Sequence, residues 1–206
     1  MTYPFKHVAL AGAIALAAGC ASNDNDDTDP GNNVPTSFST LSAAATAMAD
    51  TFVDLDTGES LADERDDLPD DATAQYTGYV GGLLDGEGFI GELTLDVDFN
   101  PGDSGAITGG ATGFQHETKG AYTGSLTLNG GAILPDVGLV DPNDDAVAGD
   151  LIGTLNNGGA NYATNIQLDG SFFGGAPAQV PTVVGGAAFG EVGLGADNFT
   201  GGFVAD

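Results

Sequence analysis

The chain has 206 residues, with 3 Lys and Arg against 30 Asp and Glu, a formal charge of -27 and a pI near 4.1. Lys6, Arg65 and Lys119 cannot form a surface that neutralises several phosphates, so nucleic acid and anionic lipid headgroups are excluded as partners. Glycine accounts for 34 residues, more than twice the usual ~7%, while 41% of the residues are apolar and 16% charged. That balance excludes disorder throughout and leaves room for a single domain of about 150 residues.

At the N-terminus, Lys6 precedes the apolar run Val8 to Gly19, which is too short to span a bilayer as a helix and reads as a secretory signal over residues 1–19. The run ends Leu16-Ala17-Ala18-Gly19-Cys20, on the only cysteine of the chain and directly before a polar stretch. It resembles a bacterial lipoprotein signal peptide, with Ala17 where the usual Leu stands. The resemblance implies lipid attachment at Cys20, whose thiol would form a thioether to diacylglycerol. Ala21 in place of Asp points to the outer membrane rather than inner-membrane retention. Cleavage before Cys20 leaves 187 residues with 2 basic and 30 acidic side chains, net charge -28 and no second cysteine, so disulfides are excluded. Residues 20–40 are rich in Asp, Asn and Pro and read as an acidic disordered tether, spanning roughly 25 Å root-mean-square.

Within residues 41–72 the spacing of Leu41, Ala45, Met48, Phe52 and Leu55 predicts one short helix over 41–55. Gly58 ends it, and Glu59 to Asp71 reads as a solvated acidic loop.

From Thr73 to Asp206 the period is two. Leu93, Leu95, Val97 and Phe99 alternate with Thr94, Asp96 and Asp98; Tyr122, Leu126 and Leu128 with Thr123, Ser125 and Thr127; Tyr162, Thr164, Ile166 and Leu168 with Ala163, Asn165, Gln167 and Asp169. Each predicts a strand with one wet face. Further strands are predicted at 75–81, 105–114, 149–155, 183–192 and 199–204, making eight. Turns are predicted at 84–88, 100–103, 129–131, 141–145 and 156–159. Eight short antiparallel strands predict an all-β fold, a closed up-and-down barrel, since closure removes exposed edges. Glycines inside the strands fit the bends of a curved sheet. A membrane-spanning barrel shares this period, but the chain has no Trp and only 5 Tyr, too few for two interfacial girdles. A soluble barrel with an apolar interior is the expectation.

The run Gly91-Glu92-Leu93-Thr94-Leu95-Asp96-Val97-Asp98-Phe99, followed by Gly105-Ala106-Ile107-Thr108-Gly109, and the closing Gly186-Ala187-Ala188-Phe189-Gly190 with Gly195 to Phe203 resemble the β-barrel domain of the transferrin-binding protein B family of surface lipoproteins. The likeness covers residues 73–206; the proline and glutamate of that family's closing signature are missing. It implies an eight-stranded barrel on a lipid anchor, displayed at the surface of a Gram-negative cell, that binds a protein or haem ligand. There is room for one barrel and no handle domain, so transferrin binding itself is not implied.

Catalytic constellations are scarce. After cleavage His116 is the only histidine, which excludes a metal site of two or three histidines within one subunit. No P-loop, Gly-x-Ser-x-Gly or dinucleotide motif opens a helix. His116 stands in Gln115-His116-Glu117-Thr118-Lys119 and reads as solvated rather than as part of a Ser–His–Asp triad. For haem, His116 is the one nitrogen axial ligand, with Met48 or a Tyr as the other. Asp141, Asn143 and Asp145 have the odd spacing of a calcium loop without its Gly and distal Glu, and Asp54-x-Asp56-x-Gly58-x-Ser60 is weaker still. No cofactor is called for. The expected function is binding rather than catalysis, of a protein with a cationic surface or of haem, with a structural envelope lipoprotein as the alternative.

Overall fold

Alternating apolar and polar residues become strand wherever they can bury one face together, and here the strands close on themselves. The computed structural model describes residues 37–54, 59–65, 68–100, 107–134, 146–193 and 198–206. The signal, Cys20, nearly all of the tether and the Asp141–Asp145 calcium candidate lie outside the described residues. In chain order the elements are helix α1 (Phe38–Ala49) and strands β1 (Val53–Asp54), β2 (Glu59–Ser60), β3 (Thr73–Leu84), β4 (Glu87–Asp98), β5 (Ile107–His116), β6 (Gly120–Ala121), β7 (Thr123–Leu134), β8 (Ala146–Asn157), β9 (Ala160–Phe173), β10 (Val183–Val192) and β11 (Asn198–Ala205). The eight long strands pair antiparallel with their sequence neighbours, and β11 pairs with β3 to complete a closed barrel.

Inward residues of all eight strands form one continuous cluster, with Phe89, Phe114, Phe172 and Phe199 among its fully buried side chains. They fill the lumen. The outward positions carry Thr94, Asp96, Thr127, Thr154, Asn165, Gln167 and Asp169, the reverse of the alternation a lipid-facing wall requires. No described helix is long and apolar enough to cross a membrane.

The helix begins three residues before the predicted start because Ser37 caps it, accepting a hydrogen bond from the Thr40 N–H at 3.2 Å and so satisfying one orphan donor. It ends at Ala49 rather than continuing to 55. Val53 and Asp54 instead pair with Ser60 and Glu59, a use of the chain that suits β-branched Val53. α1 lies on the outside of the barrel, where Leu41 and Ala45 bury against Ile90, with Phe38 and Tyr79 beside them.

The acidic run 59–71 is not simply a solvated loop. Its backbone is tied to the end of β9, with the Arg65 N–H bonded to the Phe172 carbonyl and the Gly174 N–H to the Asp63 carbonyl, each at 2.9 Å. Arg65 is buried and its Nη1 donates to the Gly174 carbonyl at 2.9 Å. Leu68 and Ala72 pack against the lumen cluster. This strap covers the end of the barrel where β3 starts and β9 finishes. Tyr76 lies at the same end, its hydroxyl donating to the Pro181 carbonyl at 2.9 Å, and burial pushes its phenol well above the ordinary range.

One predicted turn is strand. Asn129-Gly130-Gly131 is a bulge inside β7, where Gly130 and Gly131 oppose Gly149 and the strand runs on to Leu134. Strand β8 starts at Ala146, three residues before the predicted 149, and runs on to Asn157.

Candidate functional site

Four places could carry function: the lumen, the two barrel ends and the outer wall. The lumen is occupied by its own side chains, so a ligand held inside the barrel has no support. The strapped end is covered by Leu68 and Ala72 against the lumen cluster; residues 101–106 and 135–145 lie outside the described residues.

The opposite end contains His116. The expectation of a solvated histidine is wrong: the residue is 1% exposed. A bulge reverses the phase of β5, with Gly113 and Phe114 together facing Gly91 of β4, and Gly113 takes φ 64°, which glycine adopts without a Cβ penalty. Positions 107 and 111 point inward before the bulge, and 114 and 116 after it. The His116 ring lies 6.2 Å from that of Tyr122, stacked, and 6.3 Å from that of Phe89, edge-on.

His116 Nδ1 accepts hydrogen bonds from the backbone N–H groups of Thr118 (3.2 Å) and Lys119 (3.3 Å). A nitrogen that accepts carries no hydrogen, so the neutral ring keeps its proton on Nε2. Nε2 is buried without a hydrogen-bond partner; its nearest carboxylate oxygen, Glu87 Oε2, stands 3.6 Å away, beyond hydrogen-bond length. Neither nitrogen touches a serine, so no triad forms. Neither offers a free lone pair to iron, and haem ligation through His116 finds no support in this geometry. Met48 sits on α1, on the outer wall. Among the described residues no group of three His, Cys, Asp or Glu could hold a metal ion; of the weaker calcium candidate, Asp54 and Ser60 lie in the β1–β2 pair and 55–58 lie outside the described residues.

The outer wall of β3, β11 and β10 breaks the polar pattern. Leu83 is 45% exposed and Phe189 is 40% exposed, and the register sets Leu83 opposite Thr200 and Thr200 opposite Phe189. Three adjacent strands therefore present Leu, Thr and Phe side by side. Carboxylates flank the Phe189 side of this row on the same face: Glu191 two residues beyond Phe189, Asp169 opposite Ala187, and Asp150 opposite the Gln167 that faces Phe189. Of the described basic residues, Arg65 is buried under the strap and Lys119 belongs to the turn between β5 and β6, so neither offsets these charges. The sequence pattern does not show this patch, because Phe189 stands within the family resemblance and Leu83 falls between the predicted strand 75–81 and the predicted turn 84–88.

The chain matches no protein-family model, no curated protein and no solved structure.

Proposed function

We propose that the protein is a lipid-anchored envelope lipoprotein, held in the outer membrane through Cys20, whose barrel is a binding module for a protein with a cationic, partly apolar surface. The observation that carries this reading is the exposed Leu83–Phe189 pair with carboxylates along its Phe189 side. Apolar residues at the centre with charge at the rim are the arrangement of a recognition surface, and the surplus of acid sets the sign of the partner. A second copy is a poor occupant, because two chains of charge -27 repel. The resemblance to transferrin-binding protein B-like barrels supports the same class of function, a displayed barrel that captures a protein.

The test is a titration of a synthetic amphipathic peptide of alternating Lys and Leu, followed by fluorescence anisotropy at low and at physiological salt. Affinity should fall with salt, over a Debye length of about 10 Å at 0.1 M. Changing Leu83 and Phe189 together to Ser should weaken binding about tenfold or more at fixed salt, the loss of about 1.4 kcal/mol. Salt-sensitive binding indifferent to the double substitution would leave only unspecific charge attraction and refute the site. The filled lumen favours one other reading, a structural envelope lipoprotein without a ligand, which requires no binding in either salt.

Anchorage is tested separately. Cys20→Ser should abolish incorporation of labelled fatty acid and move the protein from the membrane pellet to the soluble fraction; a wild type that takes up no label, with a mutant that still pellets, would sink the anchor.

A further inference from the structure

The turn after β5 is tied down by a histidine that can do so in only one protonation state. Nδ1 of His116 receives two backbone N–H groups, from Thr118 and Lys119. An imidazolium carries hydrogen on both nitrogens, so protonation would set the Nδ1 hydrogen against both amide hydrogens and cost both bonds. Further bonds join the same turn to the β3–β4 hairpin. The Glu117 N–H donates to the Gly88 carbonyl at 2.8 Å, the Gly88 N–H donates to Glu117 Oε2 at 3.1 Å, and the Thr118 hydroxyl donates to Glu87 Oε2 at 2.7 Å. That last oxygen is the one nearest the unpartnered Nε2, on a side chain 46% exposed, and it would pair with an imidazolium.

We propose that His116 is a proton-operated latch: neutral, it closes the turn Glu117–Lys119 over the aromatic end of the barrel; protonated, it drops the two amides, turns to the Glu87 carboxylate and lets the turn open. What lies beneath is the Phe89, Phe114 and Tyr122 cluster, with Phe89 and Phe114 rings 5.2 Å apart and Phe89 and Tyr122 rings 5.4 Å apart. Opening would bring that end of the lumen to water.

The charged groups facing the ring are Glu87 on β4, Asp85 in the β3–β4 turn, and Glu117 and Lys119 in the latch turn itself. Burial lowers the imidazole pKa below its ordinary 6.5 and Lys119 lowers it further, while Glu87, Glu117 and Asp85 pull the other way without reversing the shift. The folded chain thus prefers neutral His116. As pH falls below 6.5 the unfolded chain takes up a proton that the closed form resists, so the stability the latch contributes is fully present above 6.5 and is lost as pH falls toward the lower folded value.

Nuclear magnetic resonance of the full chain tests the latch. At about pH 7.5 the His116 ring should carry its proton on Nε2, identified as the histidine signal that disappears in His116→Asn. Between about pH 7.5 and pH 5, the exchange protection of the Thr118 and Lys119 amides, corrected for intrinsic rates, should fall about tenfold or more, with Leu93 and Leu95 unchanged. His116→Asn keeps an acceptor near Nδ1 but gains no proton, so its turn should stay protected at both values. His116→Phe, lacking the acceptor, should be unprotected at both. A proton on Nδ1 at the higher pH, a wild-type protection that ignores pH, or a loss in His116→Asn equal to that of the wild type would each overturn the proposal. The two wild-type measurements decide it if the variants do not fold.

Discussion

Phe89→Ala should destabilise the barrel by about 3–5 kcal/mol, the usual cost of deleting a fully enclosed phenyl ring. The side chain is 0% exposed and its ring meets four others, those of Phe114, His116, Tyr122 and Phe199, at centroid distances of 5.2, 6.3, 5.4 and 6.1 Å. Those neighbours come from β5, the residue between β6 and β7, and β11, so no single strand can shift to refill the space. The removed volume becomes a cavity lined by elements that the barrel's closure holds apart. Equilibrium urea unfolding measures it, as a fall in midpoint with little change in slope. Phe189→Ala is the contrast: the same substitution on the outer wall, where the ring is 40% exposed, should cost less than about 1 kcal/mol. Equal losses from the two would mean that the inward and outward faces have been assigned wrongly.

Most of that inward–outward assignment is legible in the sequence, because a barrel wall only one layer thick imposes period two without interruption. Leu93, Leu95, Val97 and Phe99, or Ile166 and Leu168, can satisfy it in one way, and the structure places all of them in the lumen cluster. Strand β10 lies where the pattern placed it, at Val183–Val192. What the pattern cannot carry across is a bulge, since one extra residue exchanges the two faces. Parity counted from Ile107 and Ala111 sends Gln115 inward and His116 to solvent; the bulge at Gly113 sends His116 inward instead. A signal was present in Phe114, a large apolar side chain out of phase with Ile107 and directly after a glycine. In β7 the same ambiguity made Asn129-Gly130-Gly131 read as a turn, because the residues that build a type I′ turn also build a bulge.

Local composition misled in the same way at two other places. The helix period of Phe52 and Leu55 continues that of Leu41, Ala45 and Met48, yet the chain leaves the helix at Ala49, and periodicity alone contains no stop signal there. The acidic run 59–71 is dominated by charge, which conceals that Arg65 and Leu68, with Ala72 directly after it, are contact residues with the barrel. The outward patch was illegible for a different reason. Leu83 and Phe189 are far apart in sequence and meet on one face only because β11 inserts between β3 and β10, and Leu83 stands next to the inward Leu84, so an apolar pair there does not reveal which member is exposed.

The seam that creates this face also sets the second large effect: Gly82→Ala should destabilise the barrel at or above the upper end of the about 1–3 kcal/mol typical of overpacking. Gly82 of β3 faces Gly201 of β11, at the pairing that closes the first strand onto the last. A Cβ on Gly82 would fall on the Thr200 carbonyl oxygen and 2.5 Å from the Gly201 Cα, and one on Gly201 would fall on the Gly81 carbonyl oxygen and 2.5 Å from the Gly82 Cα. Both obstacles are backbone, so no rotamer change relieves them; the two strands must separate, and with them the ladder from Leu84–Phe199 to Gly78–Ala205. Gly201→Ala should cost a similar amount, and the double variant less than the sum, because strands parted once need not be parted again. Gly86→Asn provides the comparison, as it sits in the β3–β4 turn with φ 87° and nothing within 4 Å of a Cβ; Asn tolerates such a conformation, and the loss should stay under about 1 kcal/mol. Hydrogen exchange locates the damage. In Gly82→Ala the amides of the β3–β11 ladder should lose protection before those of β8 and β9, whose pairing does not involve the seam; a loss spread evenly over all strands, or a stability within about 0.5 kcal/mol of the wild type, would show that the close approach of β3 and β11 is not what closes the barrel.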